Sequence, residues 1–408
     1  MLRLLHTSDW HLGKSLGNIS RHPEQIEVLN EICEIAEKEK VDAVLIAGDL
    51  FDTFNPPVES VELFYRTVKR LANDGKRVVV AIAGNHDSPE RIESPDPLAR
   101  ECGIIFLGYP TTKVHPFSLP SGLAVTKSDE GFIEIEIPGQ NAPLRMLVTP
   151  YANERRLRSY LGTENSEEML RQILETRWMQ MYGKYCNDQG VNILIAHLFM
   201  TSQTGEKLEE PDDEKPILDL GGAQAIFRDN LPDKIQYVAL GHLHRKIVTS
   251  HGDTSVVYSG SPLSYSLSDL EPHKSVGLID VEPSKSARHQ SIELNSGRKV
   301  HRKTFLSVVE AIIWLEANPK TLVELTIQSD TYLTAEERKS IYSAHDGIVD
   351  IIPLVKNIDV NTQATIDPAS LSKSVEELFK DYFKRETGQA PNDEIMSLLS
   401  EVMKAEEE

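Results

Sequence analysis

Five short apolar runs in this chain each stop at a polar cluster of Asp, Asn or His, and this recurrence constrains the fold more than any other feature. Leu2 to Thr7 leads into Asp9-Trp10-His11, and Val41 to Ala47 into Gly48-Asp49. Val78 to Ala83 leads into Gly84-Asn85-His86-Asp87, Val191 to Ala196 into His197, and Tyr237 to Leu240 into Gly241-His242-Leu243-His244. Short apolar runs closed by Gly or a polar residue read as strands buried on both faces. Between them, Glu24 to Lys40 carries Ile26, Leu29, Ile32 and Ile35 at helical spacing, and a second helical stripe holds Val61, Phe64, Tyr65, Val68 and Leu71. Strands alternating with helices predict an α/β sheet whose loops gather at the strand ends.

The gathered residues are two Asp, one Asn and four His, with no Cys. Mixed oxygen and nitrogen donors suit a divalent ion that activates water, such as manganese, better than a structural zinc. Asp49 is the residue placed to bridge two ions. Asp9, His11, Asp49 and His244 form one set, and Asp49, Asn85, His197 and His242 the other. Such a pair can clamp the oxygens of an in-line phosphoryl displacement. His86 is surplus to coordination and is assigned to stabilising the transition state or protonating the leaving oxygen, with Asp87 as its orienter. Taken alone, His6 or His197 reads as a satisfied structural histidine, and Asp52 as a turn carboxylate or a support to a ligand rather than a ligand itself. The five motifs in this order carry the two-metal reading.

From Ile104 to Pro150 the pattern turns β-rich, with Phe132 to Ile137 alternating at period two and Leu144 to Val148 a further strand; Glu164 to Tyr185 reads as a helix. The acidic stretch Thr201 to Pro216 reads as a surface loop, and Val256 to Gly260 as another strand. Together these predict a two-sheet sandwich flanked by helices, of α/β (α+β) class, over residues 1–280. Residues 281–356 read as a small α+β module with strands at Ser291 to Leu294, Val323 to Ile327 and Ile348 to Leu354, and helices at Leu306 to Ala317 and Thr334 to Ala344. It holds the densest basic cluster: Lys285, Arg288, Arg298, Lys299, Arg302 and Lys303. Residues 357–408 read as a linker and a helical hairpin, with stripes Val375, Leu378, Phe379, Tyr382, Phe383 and Ile395, Leu398, Leu399, Val402, Met403 suited to a partner groove.

The net charge of −20 argues against a general basic nucleic-acid coat but not against DNA binding, because bound cations would turn an acidic pocket into one that attracts phosphate. Cys33, Cys102 and Cys186 are too few and scattered for a disulfide framework, which fits a cytosolic protein. No apolar stretch approaches membrane-spanning length, so no membrane association is expected. A cleavable signal peptide would remove Asp9 and His11 and is not expected either.

These motifs resemble the calcineurin-like metallophosphoesterases. His6-Thr7-Ser8-Asp9-Trp10-His11-Leu12-Gly13, Gly48-Asp49-Leu50-Phe51-Asp52-Thr53, Gly84-Asn85-His86-Asp87-Ser88, Ala239-Leu240-Gly241-His242-Leu243-His244-Arg245 and Tyr258-Ser259-Gly260-Ser261-Pro262 resemble, within them, the nuclease subunits of bacterial SbcCD complexes. The resemblance implies a manganese-dependent DNA exonuclease and endonuclease that acts as a homodimer, joined by two SbcC ATPase subunits in a heterotetramer on cytoplasmic, nucleoid DNA. It implies that SbcC docks on the tail hairpin and that residues 281–356 are a capping, DNA-recognition domain. Some relatives carry a His where this chain has Asp52, so a second catalytic histidine is not carried over. Dimerisation would use the helix around Val61 to Leu71. A stand-alone phosphodiesterase for small diesters would need neither the basic module nor the hairpin. A non-catalytic scaffold would not need every ligand intact.

Overall fold

The computed structural model describes residues 1–158, 166–201, 226–267, 273–329 and 332–355, with positions 378–380, 383, 391 and 396 beyond them. The chain divides into two compact units, residues 1–328 with 333–354, and residues 329–332 with 355–408.

In the first unit two sheets face each other. One runs Arg288–Glu293, Ser275–Val281, Leu2–Thr7, Ala43–Ala47, Val78–Ile82 and Ile104–Leu107, the last four strands parallel. The other is eight-stranded, and its strands Leu144–Thr149, Val191–His197, Tyr237–Gly241 and Thr254–Tyr258 are parallel. Leu4, Leu45, Val80 and Ile82 of the first sheet pack against Ile133, Met146, Ile193 and Tyr237 of the second. The residues between these on each strand face outward into helices. Leu5, Val44, Ile46 and Val79 meet Val28, Ile32, Phe64 and Val68 of helices His22–Lys38 and Val58–Ala72. Leu147, Leu194, Val238 and Leu240 meet Leu170, Leu174 and Trp178 of helix Ser166–Tyr185. The result is a helix–sheet–sheet–helix sandwich, which explains why the central strands are apolar on both faces.

One strand is more covered than its alternation suggests, and another lies in a different sheet from the one expected. Phe132–Glu136 alternates in sequence but is covered on both faces: Phe132 packs outward, Ile133 and Ile135 inward, and Glu134 is buried because Arg145 donates to it at 2.7 Å. The strand expected at Ser291 to Leu294 does not belong to the small module. Residues Arg288–Glu293 pair antiparallel with Ser275–Val281 as the edge of the first sheet, so the sandwich continues past residue 280. An edge strand that is half exposed lacks the apolar run that marks the central ones.

The small module is a three-stranded sheet of Lys299–Phe305, Thr321–Ser329 and Ile348–Val355, covered by helices Val308–Ala317 and Ala335–Ala344. Thr334 and Glu337 form a capping box at the second helix, and Ala311, Leu315, Val323, Leu325 and Ile341 form the core. The backbone and side chain of Arg298 donate to the buried Glu24 carboxylate at 2.8 and 3.0 Å, and Glu31 accepts the amides of Asn295 and Ser296. These bonds tie the start of the module to helix His22–Lys38. Among the described residues no helix is long and apolar enough to cross a membrane. The expected acidic loop beyond Thr201 and most of the expected linker and hairpin lie outside the described residues; of that stretch, positions 378–380, 383 and 396 are helical.

Candidate metal centre

The polar clusters converge because parallel strands of both sheets end at one edge. The backbone there is forced. Asp9, His11 and Asp49 have φ of 53°, 43° and 49°, and His242 has 109°, left-handed values that cost about 1–3 kcal/mol each at a non-glycine residue. They are held by interlocked loops: Asp9 N donates to Gly48 O at 2.9 Å, and His11 N to Asp49 O at 3.0 Å. Glycines allow the approach. A Cβ on Gly48 would lie 2.2 Å from His197 Nδ1, and one on Gly241 would lie 1.9 Å from Ala47 O.

Asp49 sits at the centre. Its Oδ2 is 3.5 Å from His11 Nε2 and 3.4 Å from His197 Nε2, while its Oδ1 accepts the His86 amide at 2.9 Å. On one side, His11 Nε2 is 3.0 Å from His244 Nε2, and Asp9, His11 and His244 bring their donor atoms within 4.8 Å of one another. On the other, Asn85 Oδ1 is 2.9 Å from His197 Nε2 and 3.1 Å from His242 Nδ1. Asp9, Asp49 and His197 form a second group within 4.8 Å. The structure thus brings all seven residues expected as ligands together around Asp49, with Asp9 near both His244 and His197, and His11 also grouped with Asp52 and His86.

The ring orientations suit a cation. His197 Nδ1 donates to Ala47 O at 2.8 Å, which turns its Nε2 lone pair inward, and His11 Nδ1 faces Asp52 Oδ1 at 3.4 Å with the same effect. The His197 lone pair then faces the Asn85 carbonyl oxygen, so two acceptors meet unless a proton or a metal ion stands between them. Without metal, protons take that place. Burial depresses His197, but the Asp49 carboxylate and then Asp9 lift it to about 9. Burial raises Asp9 to about 7. Burial also opposes ionisation of Asp49, yet His197, His86 and His11 hold it well below the usual carboxylate range. His11 and His244 are pushed down, first by burial. A dry cluster of carboxylates and inward lone pairs fits divalent cations.

His86 lies beside this cluster, its ring 4.9 Å from that of His11, and its Nδ1 donates to the Asp52 carbonyl at 3.0 Å. Asp87 was expected to orient this ring, and the structure corrects that. The Asp87 carboxylate accepts the amides of Gly84, Leu50 and Phe51 at 2.8, 3.0 and 3.0 Å, so it fastens the Gly84–Asp87 loop to the Asp49 loop instead. Burial and neighbouring Asp49 raise it to about 6 despite these donors. Asp52 supports His11 rather than only closing a turn: its Oδ1 accepts from Lys14 Nζ at 2.7 Å and lies 3.4 Å from His11 Nδ1.

Several supports were not foreseen. Gln25 donates to His11 O at 2.8 Å and accepts Gly13 N at 3.1 Å, fixing the first loop from the helix beneath it. Arg156 donates to carbonyls of the Gly84–Asp87 loop. Their partners are backbone atoms far away in sequence, so no motif announces them. The Gly-Ser-Pro segment does have a visible role: Ser261 N donates to His244 O at 3.0 Å, and Ser259 Oγ meets Ser8 Oγ at 2.7 Å beside Asp9. The basic cluster is split. Lys285 pairs with Glu282, and Arg302 with Glu324. Arg298, Lys299, Arg302 and Lys303 line a groove of about 390 Å³ that also borders Pro262 and Lys274.

Residues 2–246 match the family model of calcineurin-like phosphoesterases, a span that includes all seven converging residues. The SbcD subunit of the SbcCD nuclease of Bacillus subtilis (strain 168) is 34% identical over 415 residues, covering all of this chain and 99% of that protein. The SbcD protein of Rhodobacter capsulatus is 32% identical over 71% of this chain and 68% of its own length. That of Staphylococcus epidermidis is 28% identical, over 73% and 71% respectively.

Proposed function

The chain belongs to the calcineurin-like phosphoesterases and, within them, to the family of SbcD nuclease subunits, and from that premise we propose that it hydrolyses DNA phosphodiesters at a two-metal centre as the catalytic partner of an SbcC ATPase. The observation that carries this is the Asp49 carboxylate, flanked by inward-facing Nε2 atoms of His11 and His197 at 3.5 and 3.4 Å. Asp9, His11, Asp49 and His244 would hold one divalent ion, and Asp49, Asn85, His197 and His242 the other. Manganese suits the mixed oxygen and imidazole donors. Bound there, such ions supply positive charge to the phosphoryl oxygens and lower the pKa of an attacking water.

The chain's own residues do the rest. His86, its ring fixed by donation from Nδ1 to the Asp52 carbonyl, would stabilise the transition state or, as the doubly protonated imidazolium, give its Nε2 proton to the leaving oxygen. Asp87 and Gln25 keep the loops in register. The groove presents Lys299 and Lys303 beside the carboxylate-paired Arg298 and Arg302, which supports a capping, DNA-recognition role for the small module. The family premise supports SbcC docking on the helical hairpin expected within residues 357–408, and a heterotetramer with two copies of this chain on cytoplasmic, nucleoid DNA. Val58, the first residue of helix Val58–Ala72 and 81% exposed, and Phe54 in the bend before it, 46% exposed, support that helix as the homodimer contact. End-processing exonuclease and endonuclease activity follows from the same premise.

The test is cleavage of an end-labelled duplex with Mn2+ by the wild type and a His86→Ser variant, beside a chromogenic phosphodiester. DNA loss that falls about 10²-fold or more in the variant is expected. Turnover of the small diester with duplex DNA left intact, even after adding SbcC and ATP, would overturn the nuclease reading.

A further inference from the structure

Arg156 is buried, yet no carboxylate among the described residues bonds its guanidinium. It belongs to a short helix, Glu154–Leu157, whose first turn is capped by Asn153: Oδ1 accepts the Arg156 amide at 2.9 Å. From there Nη1 donates to Gly84 O at 2.7 Å, and Nη2 to Asp87 O at 2.8 Å and Asn85 O at 3.4 Å. The cation lies 5.0 Å from the centre of the Tyr151 ring. All three of these acceptors are neutral backbone carbonyls of one four-residue loop, the loop that carries Asn85 and His86.

That loop is gripped from two sides. Asp87 takes amides of Gly84, Leu50 and Phe51, while Arg156 takes the carbonyls of Gly84, Asn85 and Asp87. With those carbonyls turned toward the guanidinium, the His86 amide is left to Asp49 Oδ1 at 2.9 Å, and Asn85 Oδ1 to His197 and His242. Burial works against the charge and lowers the Arg156 pKa, with Asp87 opposing that shift. A buried cation spent on carbonyls alone is a costly way to gain stability, whereas a planar fork fixes several oxygens in one geometry.

We infer that Arg156 is a positioning residue for the reaction: its grip sets where Asn85 presents its oxygen to the metal centre and where His86 stands. A lysine cannot replace it, because a single ammonium does not reproduce the spread of a fork across Gly84 O and Asp87 O.

The test compares wild type with Arg156→Lys and Arg156→Ala. Its activity half rests on the nuclease reading, and its metal half does not. In Arg156→Lys, Mn2+ affinity by calorimetry without DNA is expected to fall about 10–100-fold, as is typical for residues that orient ligands. The loss in cleavage should fall on kcat, with KM for duplex DNA unchanged. Low millimolar guanidinium should restore part of the Arg156→Ala kcat. Wild-type Mn2+ affinity and kcat per folded molecule in Arg156→Lys, with only the denaturation midpoint lowered, would overturn the inference. If the wild type binds Mn2+ but does not cleave DNA, the nuclease reading fails and the calorimetry still decides the role of Arg156.

Discussion

Gly84→Ala is the sharpest test of how the centre is assembled. A Cβ at this position would lie 2.1 Å from Asp49 Oδ1, 2.3 Å from the Asp49 amide nitrogen and 2.7 Å from Asp49 Cγ, where ordinary contact begins at 3.4 Å. The obstacle is neither solvent nor a flexible side-chain tip. It is the backbone and carboxylate of the residue between the two ligand sets, which is itself held at φ 49° and by the His86 amide. Relief therefore requires the two loops to separate by roughly 1 Å, a misplacement that costs on the order of 10²-fold in rate when reacting groups are involved. Overpacking of this kind destabilises by about 1–3 kcal/mol, which leaves a folded protein. Mn2+-dependent cleavage of labelled duplex DNA, Mn2+ calorimetry and urea denaturation would be measured side by side. Gly183→Ala is the control: it lies within helix Ser166–Tyr185 with nothing within 4 Å of its Cβ, and it should leave all three unchanged or raise stability slightly. A Gly84→Ala protein that binds Mn2+ and cleaves within threefold of wild type would refute the close approach of the loops.

Asp87→Asn places an NH2 group where a carboxylate oxygen accepts backbone amides, so at least one of the three bonds is lost whichever way the amide turns. Each buried amide left without an acceptor costs about 1–3 kcal/mol. A shift in urea-unfolding free energy below roughly 0.5 kcal/mol, well under that scale, would contradict the fastening role. His6, buried in the Leu2–Thr7 strand with Nδ1 3.0 Å from Tyr237 Oη, is lowered to about 3, chiefly by burial. Between pH 3 and 6.5 the unfolded chain therefore binds a proton that the folded chain does not, so stability should rise with pH across that window and level off above it. His6→Gln, compared in EDTA, should show a shallower rise; an identical slope would mean that His6 is charged inside the fold.

The strands and the seven residues that converge at their ends were legible because both depend on local chemistry. A strand buried on both faces must be continuously apolar, and the first residues beyond it must be polar if they form the edge of a site. Leu45 to Asp49 shows both requirements within five residues. What was not legible depends on pairs remote in sequence. Asp87 looks like the natural partner of the neighbouring His86, yet a carboxylate next to a ring in sequence need not face it. The Asp87 side chain turns back to two amides of the Asp49 loop, which only the folded sheet brings near. Arg156 is less visible still, since its acceptors are carbonyls that every residue possesses.

The same reasoning explains the misplaced edge of the sandwich and gives the distinction a functional meaning. Arg288–Glu293 contributes an edge strand through backbone bonds to Ser275–Val281, and its half-exposed side chains leave no apolar run to read. Side chains that touch the metal are constrained in type, so their identity is written in motifs. Groups that hold backbone atoms are constrained mainly in position, so several residue types could serve until the fold fixes the geometry. Asp87, Gln25 and Arg156 all act in this second way, each on the backbone of a loop that carries one of the converging residues. On the proposed reading, the alignment of the centre rests on residues that no ligand motif marks. Substitutions there should damage the alignment of Asn85 and His86 while leaving every ligand in the sequence intact.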